Sequence, residues 1–265
     1  MNHDPANPSA TSAAPGAGRH RRGWKLIGIT VTALVIVGGL VMAPVLVWAF
    51  AQQVGTTTER DRDTFERATD RVTIEGETAA IDVQGTAEDR VTVDRSIEWA
   101  RTRPEVVESW QGTDLDVDLD CSGVGLLGWV NDVCRIDYRA EVPATAALAL
   151  TTTTGDIGID AVAGDVELAA TTGSIGGTAL EADWVSTQAT TGSIDLGFST
   201  APRQIAAEVT TGHIVVTVPD DGTRYHVTGE TGTGQREIQI ATDPRSDRVI
   251  NVSTTTGDVT VRYTG

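Results

Sequence analysis

An all-β fold, a single-stranded parallel β-helix (β-solenoid) ectodomain behind one N-terminal transmembrane helix, is what this 265-residue sequence predicts. Three observations predict it. Thr-Gly pairs recur at Thr154-Gly155, Thr172-Gly173, Thr191-Gly192, Thr211-Gly212, Thr231-Gly232 and Thr256-Gly257, at spacings of 18, 19, 20, 20 and 25 residues, the self-similarity that a solenoid leaves in a chain. Around these pairs apolar and polar residues alternate with the period of half-buried strands. Ahead of them an uncharged, largely apolar run extends from Leu26 to Phe50.

Residues 1–23 hold Pro5, Pro8 and Pro15 among Ala, Ser and Gly with almost no large apolar side chains, and are expected to form a disordered cytoplasmic tail. Residues 24–50 follow as a transmembrane helix. The 25 residues from Leu26 to Phe50 would reach about 37 Å as a helix, enough to cross the hydrocarbon core, with Trp24 and Trp48 near its two interfaces. Arg19, Arg21, Arg22 and Lys25 precede the run, against Arg60, Arg62 and Arg67 after it. That bias puts the N-terminus in the cytoplasm and the C-terminal domain outside. A competing reading is a signal peptide cleaved after Ala51, since Ala49-Phe50-Ala51 fits the small-x-small rule, which would leave a secreted protein. The run is longer than a signal core, which favours the anchor. Residues 51–70, rich in Thr, Asp, Glu and Arg, read as a polar stalk, and 71–265 as the extracytoplasmic domain.

Within that domain, Val72 and Ile74, Ile81 and Val83, Val91 and Val93, and Leu115, Val117 and Leu119 mark strands. Beyond Pro143 each Thr-Gly is flanked on both sides by alternating apolar residues, and a second polar break lies midway, at Gly164-Asp165, Glu181 to Asp183, Ala201 to Arg203 and Asp220 to Gly222. Each coil thus has two corners. An antiparallel meander with Thr-Gly hairpins would also break the chain this often, but hairpins have no reason to alternate two kinds of corner. Ala241 to Arg248, in the longest interval, is expected to bulge from one corner.

Cys121 and Cys134 are the only cysteines, and an even number outside the membrane favours a disulfide. The net charge is −17, of which the first 50 residues contribute +3 (four cations against Asp4), leaving −20 beyond them. So acidic a domain repels phosphate backbones, and nucleic acid is not an expected partner.

Four constellations are candidates for function. In the Thr-Gly corners, glycine supplies backbone freedom and stacked threonines are expected to exchange hydroxyl hydrogen bonds; the alternative is an exposed threonine ladder that binds glycan or ice. Asp114, Asp116, Asp118 and Asp120 alternate with Leu115, Val117 and Leu119, placing four carboxylates on one strand face. They read as a solvated face and only weakly as a divalent-cation site, because the EF-hand pattern fails. The apolar segment between the cysteines is expected to cap the solenoid; the alternative is a partner or membrane contact made by Leu126, Leu127 and Trp129. Catalysis finds little support: the domain has His213 and His226 only, no lysine and no Gly-x-Ser-x-Gly elbow. Asp220-Asp221 could serve a β-helix glycosidase, yet Pro219-Asp220-Asp221-Gly222 has ordinary turn composition. No catalytic residue, cofactor or metal is assigned.

Thr153-Thr154-Gly155-Asp156-Ile157, Thr171-Thr172-Gly173-Ser174-Ile175, Thr190-Thr191-Gly192-Ser193-Ile194 and Thr255-Thr256-Gly257-Asp258-Val259, behind Val142-Pro143, resemble the bacterial putative-adhesin domain-of-unknown-function family over residues 72–263. The resemblance implies a single-chain β-helix at the cell envelope with no assigned catalytic residues. Gly229 to Gly234 departs from the pattern, with Glu230 in place of the first Thr, so that coil is expected to be distorted. The function expected is a membrane-anchored, non-catalytic adhesin-like or scaffold binding module. It touches the bilayer through Leu26 to Phe50 and meets an envelope glycan or a membrane-protein partner. The alternatives are a β-helix carbohydrate-active enzyme and an envelope-sensing accessory that binds another membrane protein.

Overall fold

The computed structural model describes residues 55–100, 102–121 and 133–264. The tail at 1–23, the apolar run at 24–50, the cleavage site at Ala51 and the contact candidates Leu126, Leu127 and Trp129 lie outside those residues. Thr56–Gly265 is one compact unit. Among the described residues every regular element is a strand, and no helix is long and apolar enough to cross a membrane.

The chain climbs one face (B), turns at a Thr-Gly corner, descends the opposite face (A) and turns again at the second break. Four coils follow this course in sequence order. They are β7 (Ala147–Thr154) with β8 (Ile157–Asp160), β9 (Val166–Thr172) with β10 (Ile175–Leu180), β11 (Trp184–Thr191) with β12 (Ile194–Phe198), and β13 (Gln204–Thr211) with β14 (Ile214–Val218). Every pairing among them is parallel, Thr154 standing beside Thr172, then Thr191, then Thr211. Parallel stacking excludes the meander. The alternation explains the burial: Leu150, Leu168, Ile175, Ile194, Leu196, Ile205 and Ile214 face inward and are buried, while their neighbours face water.

At the corners Gly155, Gly173, Gly192 and Gly212 adopt φ between 143° and 149°, a region that favours glycine. A Cβ on Gly173 would stand 1.8 Å from the Gly155 carbonyl oxygen, and one on Gly212 1.6 Å from that of Gly192. Backbone approach forbids any side chain there. The following residue serves the next coil, as where the Asp156 carboxylate accepts the Ser174 N–H at 2.7 Å.

Both ends depart from sequence order. β2 (Arg71–Thr86) is a single strand of 16 residues that makes a whole coil, its first half beside β7 on face B and its second half beside β8 on face A. The chain then builds outward on the far side of β2, with β5 (Asp114–Asp120) and β6 (Cys134–Pro143) parallel to it. Antiparallel strands close this end: β3 (Val91–Trp99) and then β1 (Thr57–Phe65) beyond β6, and β4 (Glu105–Gln111) beyond β5.

The expected stalk at 51–70 is therefore corrected, since Thr57–Phe65 is an edge strand. Its polar sequence hides the strand because its partners are charges: across the register Arg62 pairs with Asp94 and Arg95 with Asp61 at 3.0 Å, and Arg103, beyond β3, reaches Glu59 at 2.9 Å. The Arg62 guanidinium holds the Asp94 carboxyl below its usual range.

At the other end, β15 (His226–Thr228), β16 (Thr231–Thr233) and β17 (Arg236–Ile238) form the outermost coil, and β18 (Val249–Thr256) and β19 (Val259–Tyr263) return beneath it. β18 lies between β13 and β15–β16, and β19 between β14 and β17. Residues 241–248 are thus the return crossing of a threaded chain, where a corner bulge was expected. Composition explains the order. β18 and β19 bring Ile250, Val252, Val259 and Val261, all fully buried, whereas the outer coil brings Val227, Thr231 and Arg236 to the matching positions beside Ile250, Thr254 and Val259. A terminal coil must tolerate water on its outer side.

The threading also moves the fifth corner. Thr233, not Thr231, pairs with Thr256, and Gly234 takes φ 138° with its absent Cβ 1.9 Å from the Gly257 carbonyl oxygen. The corner is Thr233-Gly234, one step beyond the Thr231-Gly232 read from sequence. Glycines 155, 173, 192, 212, 257 and 234 form one column in that spatial order.

Candidate functional site

The disulfide joins Cys121 to Cys134. Leu119 pairs with Gly76 and Ile136 with Ala79, so the bridge sits where the other coils make their Thr-Gly turn, with the Cys121 sulfur 3.9 Å from the Thr78 carbonyl. The two cysteines thus stand at the corner of the β5–β6 coil.

The aspartate face has the predicted geometry. Leu115, Val117 and Leu119 are buried, while Asp114, Asp116, Asp118 and Asp120 project from the outside of face B. Successive carboxylates on one strand face lie roughly 7 Å apart, and Gln111 donates to Asp116 at 3.3 Å. Among the described residues no group of three or more His, Cys, Asp or Glu is gathered to hold a metal. Asp221, the glycosidase candidate, accepts the Thr223 N–H at 2.9 Å, and its hydrogen bonds from Thr223 lower its carboxyl below the usual range. That is the chemistry of a turn.

The corner threonines depart from expectation in a more informative way. Inward-facing Thr152 and Thr254 donate to the Ala79 and Gly212 carbonyls at 3.1 and 3.4 Å. Among the described residues, none of the paired threonines at 153–154, 171–172, 190–191, 210–211 and 255–256 makes a side-chain hydrogen bond, to a stacked threonine or to any other group. All ten are exposed. The fold requires glycine at the corner; hydrogen bonding within the fold does not require threonine beside it.

Four of these threonines, Thr171, Thr190, Thr210 and Thr255, border an open groove of about 660 Å³ on the outside of face B. Two consecutive exposed residues end each face-B strand and interrupt the alternation. One side of the groove carries Thr151, Ala169, Gln188, Glu208, Ser253 and Glu230, one residue per coil, and the other carries Thr171, Thr190, Thr210, Thr255 and Gly232. Nearly buried Ala170, Ala189 and Val209 floor it. The lining holds no cation and no aromatic ring. Its anionic groups are Glu208 and Glu230. Such a surface offers hydroxyl and amide groups, each able to donate and accept.

Sequence reading singled out the corner threonines but missed Gln188, Glu208 and Ser253. They were legible only as the outward members of each strand, two or more positions before the Thr-Gly pair.

No family model matches the chain, and no curated protein matches it. Among solved structures, it is similar to a putative cell adhesion protein from Clostridium sporogenes, at 12% identity and a TM-score of 0.49, over 78% of this chain and 100% of that one. A putative adhesin from Bacteroides fragilis is similar at 11% identity and a TM-score of 0.39, over 78% of this chain and 97% of that one. A putative lipid binding protein from Parabacteroides distasonis is similar at 11% identity and a TM-score of 0.31, over the same shares.

Proposed function

We propose that this chain is a membrane-anchored, non-catalytic, adhesin-like module that holds an extracytoplasmic ligand in the groove of face B. The observation that carries the reading is the groove itself. It presents polar side chains in register over successive coils, and among the described residues the hydroxyls of Thr171, Thr190, Thr210 and Thr255 are engaged by nothing in the fold. Leu26 to Phe50 supplies the anchor, with the N-terminus cytoplasmic. The ligand is a component of the envelope. Many copies on one membrane would add avidity to a weak individual contact.

The test uses the full chain in membranes. Trp substituted for both Thr190 and Thr210 fills the groove from exposed positions. Capture of purified envelope fragments by membranes carrying the chain is expected to fall at least tenfold, with the thermal unfolding midpoint unchanged. Equal capture by the filled variant sinks the reading.

A further inference from the structure

We infer that the groove takes an extended, uncharged polysaccharide strand lying along the stack, with about one sugar unit per coil. The inference rests on the groove being the binding site and adds the ligand class and its direction.

Spacing argues first. Six coils line the groove, from Thr151 to Glu230, and coils stack about 4.8 Å apart, so equivalent groups recur over roughly 24 Å. The repeat is close to one hexopyranose unit of an extended β-linked chain. Thr171, Thr190, Thr210 and Thr255 offer four successive units the same hydroxyl and methyl. A β-branched side chain has a restricted χ1, so the array is ordered before the ligand arrives and less entropy is lost on binding.

Exclusion argues second. The strands along the groove are paired on both sides, β9 with β7 and β11, β13 with β11 and β18, and β18 with β13 and β16, so an added peptide strand finds an edge only at the outermost β16, at the groove's end. The floor is alanine and valine too shallow for an acyl chain. Glu208 and Glu230, with no cation beside them in the lining, repel phosphate or uronate polymers. What remains is a ligand rich in neutral hydroxyl or acetamido groups, with small apolar C–H faces to rest on Ala169, Ala170 and Ala189.

The experiment titrates the full chain in detergent micelles with N-acetylglucosamine oligomers and neutral β-glucan oligomers of increasing length, and with oligogalacturonate as the anionic comparison. Affinity is expected to rise severalfold with each added unit up to about six and then level off, to be absent for oligogalacturonate, and to fall at least tenfold in the Thr190→Trp, Thr210→Trp variant. Affinity independent of length, equal binding of oligogalacturonate, or no binding of any neutral oligomer overturns it. If neutral oligomers fail while the filled variant still loses envelope capture, the ligand class is wrong and the site stands. If envelope capture is also unchanged, both are wrong.

Discussion

The two ends of the stack solve the same problem by different means. A solenoid end exposes both an apolar core and unpaired strand edges, which invite aggregation. At the β2 end the chain adds antiparallel strands and turns charges inward. Arg95 and Glu108, on opposite faces, meet at 3.1 Å with 13% and 10% of their side chains exposed, and Tyr138 donates to the same Glu108 carboxylate at 3.1 Å. Phe65 packs on Trp110, and Arg67 covers that indole at 5.0 Å. Among the described residues the opposite end has neither a buried ion pair nor a disulfide, although the half-buried Arg248 guanidinium donates to the Ala201 and Pro202 carbonyls at 2.6 and 2.8 Å. It lays a polar coil outermost and threads the last apolar strands beneath it, burying Tyr225 with a hydroxyl that lacks a hydrogen-bond partner among the described residues. The lesson is that one end is locked by specific polar bonds, while the other is closed by ordering strands according to how much water each tolerates.

Deletions separate the two mechanisms most strongly. Removing Arg224–Arg248 joins Thr223 to Val249 and leaves the linker Pro219–Thr223, the same five residues in length as Ser199–Arg203 between β12 and β13. With the outer coil gone, Gly257 still stacks on Gly212, so the chain should remain soluble and fold with an unfolding midpoint several degrees lower. Removing Val249–Gly265 instead uncovers Ile205, Val209, Ile214 and Val216, and that chain should aggregate. The threading account fails if the second deletion folds as well as the first.

The disulfide comes next. Replacing both cysteines with serine frees a loop whose ends are 13 residues apart, and should cost about 3 kcal/mol in chemical denaturation. Hydrogen exchange should quicken in β5 and β6 and stay slow in β18 and β19. Uniform quickening would mean that the two ends do not open separately.

The tyrosines give the smallest and most specific contrast. Tyr138→Phe deprives Glu108 of a hydrogen bond and should cost about 1–2 kcal/mol, whereas Tyr225→Phe removes an unpartnered buried hydroxyl and should be neutral or slightly stabilising. Alkali tests the same pair. Burial, then the nearby Glu108 charge, raises the Tyr138 phenol, and burial pushes Tyr225 up to about 12. Both therefore hold their protons more tightly folded than unfolded. Their stabilisation is complete below the unfolded value of about 10 and falls as pH rises above it, the loss ending near about 12 for Tyr225 and at higher pH for Tyr138. Melting curves across that interval should fall less steeply for Tyr225→Phe than for the parent chain.

Much of the middle was legible in the sequence because there neighbours in sequence are neighbours in space. Two corners per coil, the inward positions and the disulfide all follow from local pattern and composition. The ends were not legible, since stacking order depends on comparing strands far apart in the chain. Thr-Gly-Thr-Gly at 231–234 offers two corners, and only the pairing of Thr233 with Thr256 chooses between them. β1 lacks apolar alternation because it is an edge strand held by ion pairs, and those appear only once its register against β3 is known. The groove was half legible. The threonines declared themselves by repetition, but their hydroxyls looked structural until the stack left them unengaged.

The glycine column has a further consequence. Each coil of the middle meets its neighbours through the same contacts at Gly155, Gly173, Gly192 and Gly212, so a coil can be duplicated or lost between them without disturbing either lid. Reach along the stack is then adjustable in whole-coil steps, like links added to a strap between two fixed buckles. Were the groove's ligand to lie along the stack as proposed, the length it could span would be set by the number of coils, independently of the chemistry that closes the ends.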